Sequence, residues 1–373
     1  MLISPSFSPD VLVSFIPTLI KHSQNIVADI GASDGKFIDP MSVIELPLIS
    51  MALEASMGLK NEMSSVERLS LRDSMKNFFD SNVDLLLNKS FVPSWRSALV
   101  KLSSLIKGEE SHRKKFMRHA MQIIKFRLQE LSQGGIDCNH ITRRNHKQTF
   151  LDNVLSSAIN QKSGDSIDLT DVLGDLANIM IASYDTILSS TIWFFYNMSI
   201  NPDIQEKLFE ELSDFDEEDE SVIACQVNRL TFLDQCVKEN LRIYPSTALM
   251  SRKISEAIEI NGHLVPAGTL TATSIYAVHH DETIYPDPYR FDPSRFEPDN
   301  LAKIPSGAYI PFGAGPRRCI GERLALLQSK IIFSSIVKKF HIEPSKENNA
   351  DVKIDVLTRA QHPFKFSFMP RDD

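Results

Sequence analysis

The segment from Leu169 to Ser199 constrains the fold more than any other part of the chain. It contains no proline and a single glycine, and apolar residues fall on nearly every face of a helix drawn through it. A helix that is apolar all round is a buried one. At about 30 residues it would be about 45 Å long, enough to cross a whole domain. We therefore expect the chain to fold around one long central helix.

A polar interruption lies inside this helix, at residues 183–186 (Ser-Tyr-Asp-Thr). Two interpretations are open. The hydroxyl groups can bond back to carbonyls of the preceding turn, or the helix can be opened beside a buried site.

The rest of the chain predicts more helices and a small sheet. Asn261-Gly262 is a hairpin signal between short alternating segments, and residues 281–316, rich in proline and glycine, predict irregular coil. There are no repeats and no linker between two cores, so we expect one domain over residues 1–373, mainly α with a small antiparallel β part. Helices are expected near residues 66–79, 111–132, 202–212, 231–242 and 322–340, and strands near 254–260, 263–265 and 270–275.

The charge balance excludes some partners. The chain has 48 acidic and 40 basic residues, a formal charge of −8, but residues 210–220 contain eight of the carboxylates and no basic residue. Outside this tract the charges cancel. Basic residues at 112–127 recur at helical spacing around apolar ones and lack interleaved aromatic rings, so we interpret them as the solvated face of an amphipathic helix. Nucleic acid is not expected as a partner.

The four cysteines are too few and too scattered for a disulfide framework, which fits a reducing compartment. They are Cys138, Cys225, Cys236 and Cys319. The amino terminus does not resemble a signal peptide. No run of 18 apolar residues occurs, so no segment is expected to span a bilayer.

The most specific chemical signal is the stretch from Phe312 to Gly321, directly before a predicted helix. Glycines surround Cys319 there and allow the backbone to approach a flat ligand closely. The helix that follows points its free N–H groups at the sulfur, which favours a thiolate, and Arg317 adds positive charge. A cysteine near glycine is usually an inert small hydrophobe, but such a cysteine rarely sits in an electropositive loop. No second Cys or His lies at the spacing of a zinc ligand.

These residues resemble the motif Phe-x-x-Gly-x-Arg-x-Cys-x-Gly of the cytochrome P450 family, the haem-thiolate monooxygenases. Three further family elements occur in the expected order: Glu239-x-x-Arg242, Pro293-x-Arg295-Phe296, and the acid and alcohol pair Asp185-Thr186. The resemblance extends from Leu2 to the end of the chain and is strongest to animal microsomal members that oxidise lipophilic compounds.

The resemblance implies a haem b cofactor with the thiolate of Cys319 as axial ligand to iron. Thr186 and Asp185 would deliver protons on the distal side. Arg252 and Arg317 would meet the haem propionates, although for Arg252 an ordinary surface charge is an open alternative. The other cofactor-binding residues would be Phe312, Gly313, Gly315 and Gly321, and a buried cluster bracing the cysteine loop would contain Glu239, Arg242 and Arg295.

The resemblance also implies O2, a lipophilic substrate, and electrons from NADPH through a separate reductase, at the cytosolic face of the endoplasmic reticulum membrane. Two positions depart from the family: Ser183 replaces a glycine, and Ile187 replaces a residue with a hydroxyl. The chain also begins after the family's membrane anchor, its first strands and a Trp-bearing helix. We therefore expect open strand edges near residues 254–275 and an incomplete haem pocket. Two hypotheses remain open: a monooxygenase, or a non-catalytic haem-binding remnant or interaction protein.

Overall fold

The computed structural model describes residues 4–59, 63–91, 109–133, 149–160, 169–215 and 220–371. Most of these residues are helical, and the strands form antiparallel pairs, which confirms the predicted fold class. A π-helical turn, Ala52–Ser56, follows the third helix. The α-helices are α1 (Pro9–Val13), α2 (Ile16–Gly31), α3 (Met41–Met51), α4 (Ser65–Phe91), α5 (Glu109–Gln133), α6 (Phe150–Asn160), α7 (Leu169–Ile200), α8 (Pro202–Glu211), α9 (Glu220–Arg229), α10 (Thr231–Ile243), α11 (Ile275–His279), α12 (Pro298–Leu301) and α13 (Glu322–Lys339).

The long helix α7 is continuous through its polar interruption. The hydroxyl of Ser183 donates to the carbonyl of Met180 at 3.2 Å, and that of Thr186 donates to the carbonyl of Ala182 at 2.7 Å. Both hydroxyls are thus satisfied by carbonyls of the same helix. Of the two interpretations of this segment, the back-bonded one is confirmed and the opened helix is wrong.

The core surrounds α7. Trp193, Phe194 and Phe195 are consecutive, so they point to different sides of the helix, and all three are fully buried. Phe194 stacks on Phe333 of α13 with ring centroids 3.8 Å apart. Phe195 meets Phe368, near the carboxyl end of the chain, edge to face at 5.3 Å. Around these three residues the helix is therefore buried on every side, as its composition predicts, whereas Asp175 and Asn178 nearer its start are exposed.

Among the described residues, the β part consists of four antiparallel strand pairs: β1 with β4, β2 with β3, β5 with β8, and β6 with β7. Asn261 and Gly262 both have positive φ, 50° and 80°, which confirms the predicted hairpin. Of the strand expected over 254–260, only Ile258–Ile260 is a strand, and a strand that was not expected, Leu249–Lys253, precedes it. The strands are β1 (Leu249–Lys253), β2 (Ile258–Ile260), β3 (His263–Val265), β4 (Leu270–Ser274), β5 (Phe340–Pro344), β6 (Val352–Ile354), β7 (Thr358–Ala360) and β8 (Phe366–Pro370).

The pairs β1–β4 and β2–β3 have open edges, as expected, because within the described residues neither pair belongs to a sheet of three or more strands. Their aliphatic side chains are exposed, with Leu264 at 74% and Leu270 at 51% of full exposure. In the described part of the chain, no helix combines the length and the apolar character needed to cross a membrane.

The basic helix α5 is amphipathic, as predicted. Phe116, Ile123 and Ile124 are buried against the core, while the basic side chains at 113–115 and Lys125 face outward. The acidic tract is described only in part, because residues 216–219 lie outside the described residues.

The first third of the chain is bonded to its last strand. Ile38 exchanges backbone hydrogen bonds with Phe366, at 2.9 and 3.0 Å. The hydroxyl of Ser367 donates to the carbonyl of Gly35 at 2.7 Å. These bonds connect the early and late parts of the described chain.

Candidate active site

The loop before α13 places Cys319 at the amino end of that helix. Gly313 and Gly315 both have φ of 74°, a conformation that L side chains rarely adopt. A Cβ at Gly313 would lie 3.2 Å from the sulfur of Met250 on β1. The N–H of Cys319 donates to the carbonyl of Phe312 at 2.9 Å and closes the loop. The backbone here therefore requires the glycines.

Burial raises the pKa of the Cys319 thiol and is the largest influence on it. The backbone N–H groups of Gly321 and Glu322 hydrogen-bond the sulfur and lower this pKa, as predicted for a helix amino end, and Arg318 lowers it too. The side chain opens on a cavity, yet the surrounding protein atoms still desolvate it. The helix amides thus act in the predicted direction, although burial outweighs them and the net shift of the pKa is upward.

A cavity of about 330 Å³ separates Cys319 from α7. Its α7 wall is one face of that helix, and the cysteine loop forms the opposite side. Six residues that the sequence predicts for the site line this one cavity. They are Thr186, Phe312, Gly313, Arg317, Cys319 and Gly321. Gly315 shapes the loop but does not line the cavity.

Thr186 and Asp185 lie on different faces of α7. Thr186 faces the Cys319 cavity, whereas Asp185 lines a second cavity and makes an ion pair with Arg359 at 2.5 Å. Burial raises the pKa of Asp185, and the charge of Arg359 and its hydrogen bond oppose that rise. The structure therefore separates the predicted acid and alcohol pair across the helix.

Arg317 lines the Cys319 cavity, but Arg252 does not. Arg252 is exposed on β1, and its guanidinium group donates to the carbonyl of Ser251 at 2.8 Å and to the sulfur of Met250 at 3.2 Å. Alternate residues of a strand share a face, so Met250 and Arg252 lie on the same face of β1. Of these two residues, Met250 lines the cavity. The surface alternative for Arg252 is the one that the structure favours.

The structure brings Glu239, Arg242 and Arg295 together, as the resemblance implies. Glu239 and Arg242 are fully buried and pair through two bonds of 2.7 and 2.9 Å. Arg295 lies 3.4 Å from the same carboxylate and donates to the carbonyl of Pro286 at 2.7 Å. Burial raises the pKa of Glu239, and both arginines oppose that rise.

The family profile described as Cytochrome P450 matches residues 1–368. The chain belongs to the cytochrome P450 family. Members of this family are monooxygenases that bind haem through a cysteine thiolate and use O2, a lipophilic substrate and a redox partner.

Two curated relatives and one solved structure show the range of the similarity. Cytochrome P450 4d1 of Drosophila melanogaster is 28% identical over 99% of this chain and 74% of its own length. Cytochrome P450 4V2 of Mus musculus is 33% identical over 60% of this chain and 42% of its own length. The structure of retinoic acid bound cyanobacterial CYP120A1 superposes with a TM-score of 0.78 at 20% identity, covering 99% of this chain and 77% of that one. That likeness shows the fold.

The site of this cytochrome P450 fits a haem group. Its donor set is one cysteine that accepts two backbone N–H bonds, which suits a thiolate ligand. Gly313 leaves room where any Cβ would crowd Met250. The walls include apolar side chains from α7 and α13, with Arg317 available to a carboxylate.

Sequence reasoning missed His279, which links two parts of this P450 site. Its Nδ1–H donates to the carbonyl of Arg242 at 3.2 Å, and its Nε2 accepts from the N–H of Ile310 at 2.9 Å. These partners assign the neutral ring and its tautomer. Burial lowers the pKa of His279 to about 3. The available signal was the pair His279-His280 after an apolar stretch.

Proposed function

We propose that this cytochrome P450 is a haem b monooxygenase that inserts one oxygen atom of O2 into a lipophilic small molecule. Electrons would come from NADPH through a separate reductase. The observation that supports this most directly is the position of Cys319, which faces Thr186 across a largely apolar cavity. Bound haem supplies the oxygen activation, and a thiolate ligand favours cleavage of the O–O bond.

The cysteine loop would hold the cofactor. Cys319 would hold the haem iron through its sulfur, which the N–H groups of Gly321 and Glu322 would stabilise as a thiolate. Arg317 is the proposed partner of a propionate, because a guanidinium group suits a carboxylate. We assign no propionate contact to Arg252, whose guanidinium group bonds to its own strand.

Thr186 is proposed to position the water that delivers a proton to the reacting oxygen. Its hydroxyl proton is directed at the carbonyl of Ala182, so its oxygen lone pairs can accept a hydrogen bond from water in the cavity. Asp185 would exchange protons with solvent on the other face of α7, and reaching Thr186 requires it to leave Arg359. Asp185→Asn is expected to slow turnover for this reason.

Carbon monoxide binding to the reduced protein tests the ligand. Wild type and Cys236→Ser should both show the Soret band of a thiolate-ligated haem, because Cys236 is buried away from the cavity. Cys319→Ser should lose it. A thiolate band that persists in Cys319→Ser would overturn the assignment.

Thr186→Ala tests the proton role and separates the two hypotheses about activity. Thr191 is a matched control, since its hydroxyl also bonds one turn back, to the carbonyl of Ile187 at 2.8 Å, without lining the cavity. Thr186→Ala should keep haem and substrate binding but release more peroxide per product, by about tenfold or more. Thr191→Ala should keep wild-type coupling. Equal coupling in both variants would remove the role of Thr186, and a haem-loaded wild type without product would favour the non-catalytic hypothesis.

We also propose the cytosolic face of the endoplasmic reticulum membrane as its location. The resemblance to microsomal members supports this, and the exposed Ile258, Ile260 and Leu264 offer an apolar surface to lipid. Fractionation of cells expressing the chain, with recovery in the cytosol alone, would contradict it.

A further inference from the structure

A second cavity, of about 240 Å³, lies behind α7. The α7 residues that line it recur every three to four positions, at 181, 184–185, 188–189 and 192–193. This spacing marks one helix face, turned away from the face that contains Thr186 and Ile187. Of the described residues, none lines both cavities. The second cavity is therefore a separate site.

The walls of the second cavity are apolar and held in place. Met75, Trp193 and Phe364 line it and are at most 3% exposed. Trp193 stacks on Tyr244 with ring centroids 3.7 Å apart, and its Nε1 donates to the carbonyl of Thr358 at 3.2 Å. Side chains fixed in this way keep the cavity formed, as in most small-molecule sites.

The carboxylates at this cavity are already engaged. Glu45 pairs with Arg72 at 2.6 Å, and Asp185 pairs with Arg359 at 2.5 Å. The carboxylate of Asp39 accepts the backbone N–H that opens α3, at 2.9 Å. A cationic ligand would therefore have to displace an existing partner.

Lys76, at the rim of the cavity, is the opposite case. It is exposed, and across the part of the chain that the structure describes no carboxylate forms an ion pair with its ammonium group; its charge acts on Asp185 only from a longer distance, lowering the pKa of that carboxyl. Arg359 adds a second positive group, and one of its nitrogens is held only at 3.3 Å by the half-exposed Asp80. The rim thus offers positive charge to a ligand while the walls offer apolar surface.

We propose that this cavity binds a lipophilic anion, a carboxylate with a short hydrocarbon chain. The chain would pack on Trp193, Leu188 and Met75, and the carboxylate would meet Lys76. The volume is near the lower end for small-molecule pockets, which favours a single unbranched chain. Arg359 at this cavity pairs with Asp185, and Asp185 directly precedes Thr186 in α7. A ligand in this cavity would therefore lie next to the helix turn whose Thr186 lines the Cys319 cavity.

Three amphiphiles with the same chain test the charge preference: decanoate, decanol and decyltrimethylammonium. The haem-loaded protein is titrated by calorimetry with an imidazole-type iron ligand filling the Cys319 cavity. Decanoate should bind at one site per chain, about tenfold more tightly than decanol, with the cation weakest. Tighter binding of the cation, or loss of all binding once the first cavity is filled, would overturn the proposal. The Soret shift caused by the iron ligand reports the proposed haem function separately.

Two variants locate the binding. Lys76→Gln should weaken decanoate binding to the level of decanol and leave decanol unchanged, whereas Lys303→Gln, at an exposed lysine elsewhere, should change neither. Leu188→Trp should fill the cavity and abolish both. If Leu188→Trp does not fold, the exposed Lys76 still decides the outcome. Unchanged decanoate binding in Lys76→Gln would place the ligand elsewhere and overturn the proposal.

Discussion

At the scale of single residues, His279 shows how one neutral ring can hold two segments in register. It uses one nitrogen as donor to α10 and the other as acceptor from Ile310, nine positions before Cys319. A protonated ring has two donors and no acceptor. Protonation would therefore set a second N–H against the N–H of Ile310 and release the start of the cysteine loop.

The pKa of His279 gives this arrangement a pH dependence. The folded protein has a pKa of about 3 at this ring, against 6.5 for an ordinary histidine. Between these values the unfolded chain binds a proton that the folded chain does not. The free energy of unfolding should thus fall as pH falls, by about 1.4 kcal/mol per pH unit from this residue. His279→Gln should make the slope shallower by that amount, measured by urea unfolding at about pH 6 and about pH 5.

The control for this prediction is His263→Gln, since His263 is an exposed histidine on β3. It should leave the slope as in wild type. An unchanged slope in His279→Gln would show that the buried ring does not supply the pH dependence.

The sequence predicts which residues belong to a motif, but it does not predict the direction in which each side chain points. Cys319 and Thr186 were predicted for one site and do line one cavity. The side chains of Arg252 and Asp185 instead turn to Ser251 and Arg359, and neither residue lines that cavity. A rotamer is selected by tertiary neighbours, which a linear pattern does not contain.

At the scale of elements, α10 combines two kinds of ion pair on one helix. Glu239 and Arg242 pair with no exposure at all. Lys238 pairs with Asp234 one turn away, at 2.7 Å, with both side chains about 30% exposed. The two pairs have similar lengths but differ in burial and in their other partners. Arg242 also donates to the carbonyls of His279 and Pro288, whereas Asp234 keeps a second partner, Lys330, at 2.6 Å.

Burial predicts very different costs for breaking these pairs. Arg242→Ala leaves the buried carboxylate of Glu239 without its closest partner and should cost about 3–5 kcal/mol, with loss of haem. Lys238→Ala removes a partly exposed pair and should cost less than about 1 kcal/mol. Denaturant unfolding and haem content per chain measure both. Similar small costs would show that the buried cluster does not brace the site, and Glu239→Gln gives a second test if Arg242→Ala fails to accumulate.

Element boundaries were predictable where the signal is local. The expected helices near 231–242 and 322–340 appear as Thr231–Ile243 and Glu322–Lys339. The side chain of Asn201, directly before α8, donates to the carbonyl of Asn197 at 2.8 Å and does not cap α8. The strands after residue 339 were missed; β8 pairs with β5 and is also bridged to Ile38, more than 300 positions away, a contact that no local pattern contains.

At the scale of the whole molecule, α7 stands between two cavities and inside one hydrophobic cluster. The described core includes residues from α2, such as Leu19, and from β5, such as Ile342, in that same cluster. The bridge between Ile38 and Phe366 joins the early and late parts of the chain directly. Removing the early part or the late part of the chain would expose a face of α7 that is now buried.

This continuity predicts a single cooperative unfolding transition. Leu19→Ala and Ile342→Ala each remove a fully buried side chain and should cost about 2–5 kcal/mol. If the chain is one domain, each variant should shift the haem absorbance transition and the far-ultraviolet circular dichroism transition together. Leu264→Ala, at a largely exposed side chain, should move neither. Two separate transitions, with Leu19→Ala moving one and Ile342→Ala the other, would show two independent cores, because a mutation destabilises only the cooperative unit that contains it.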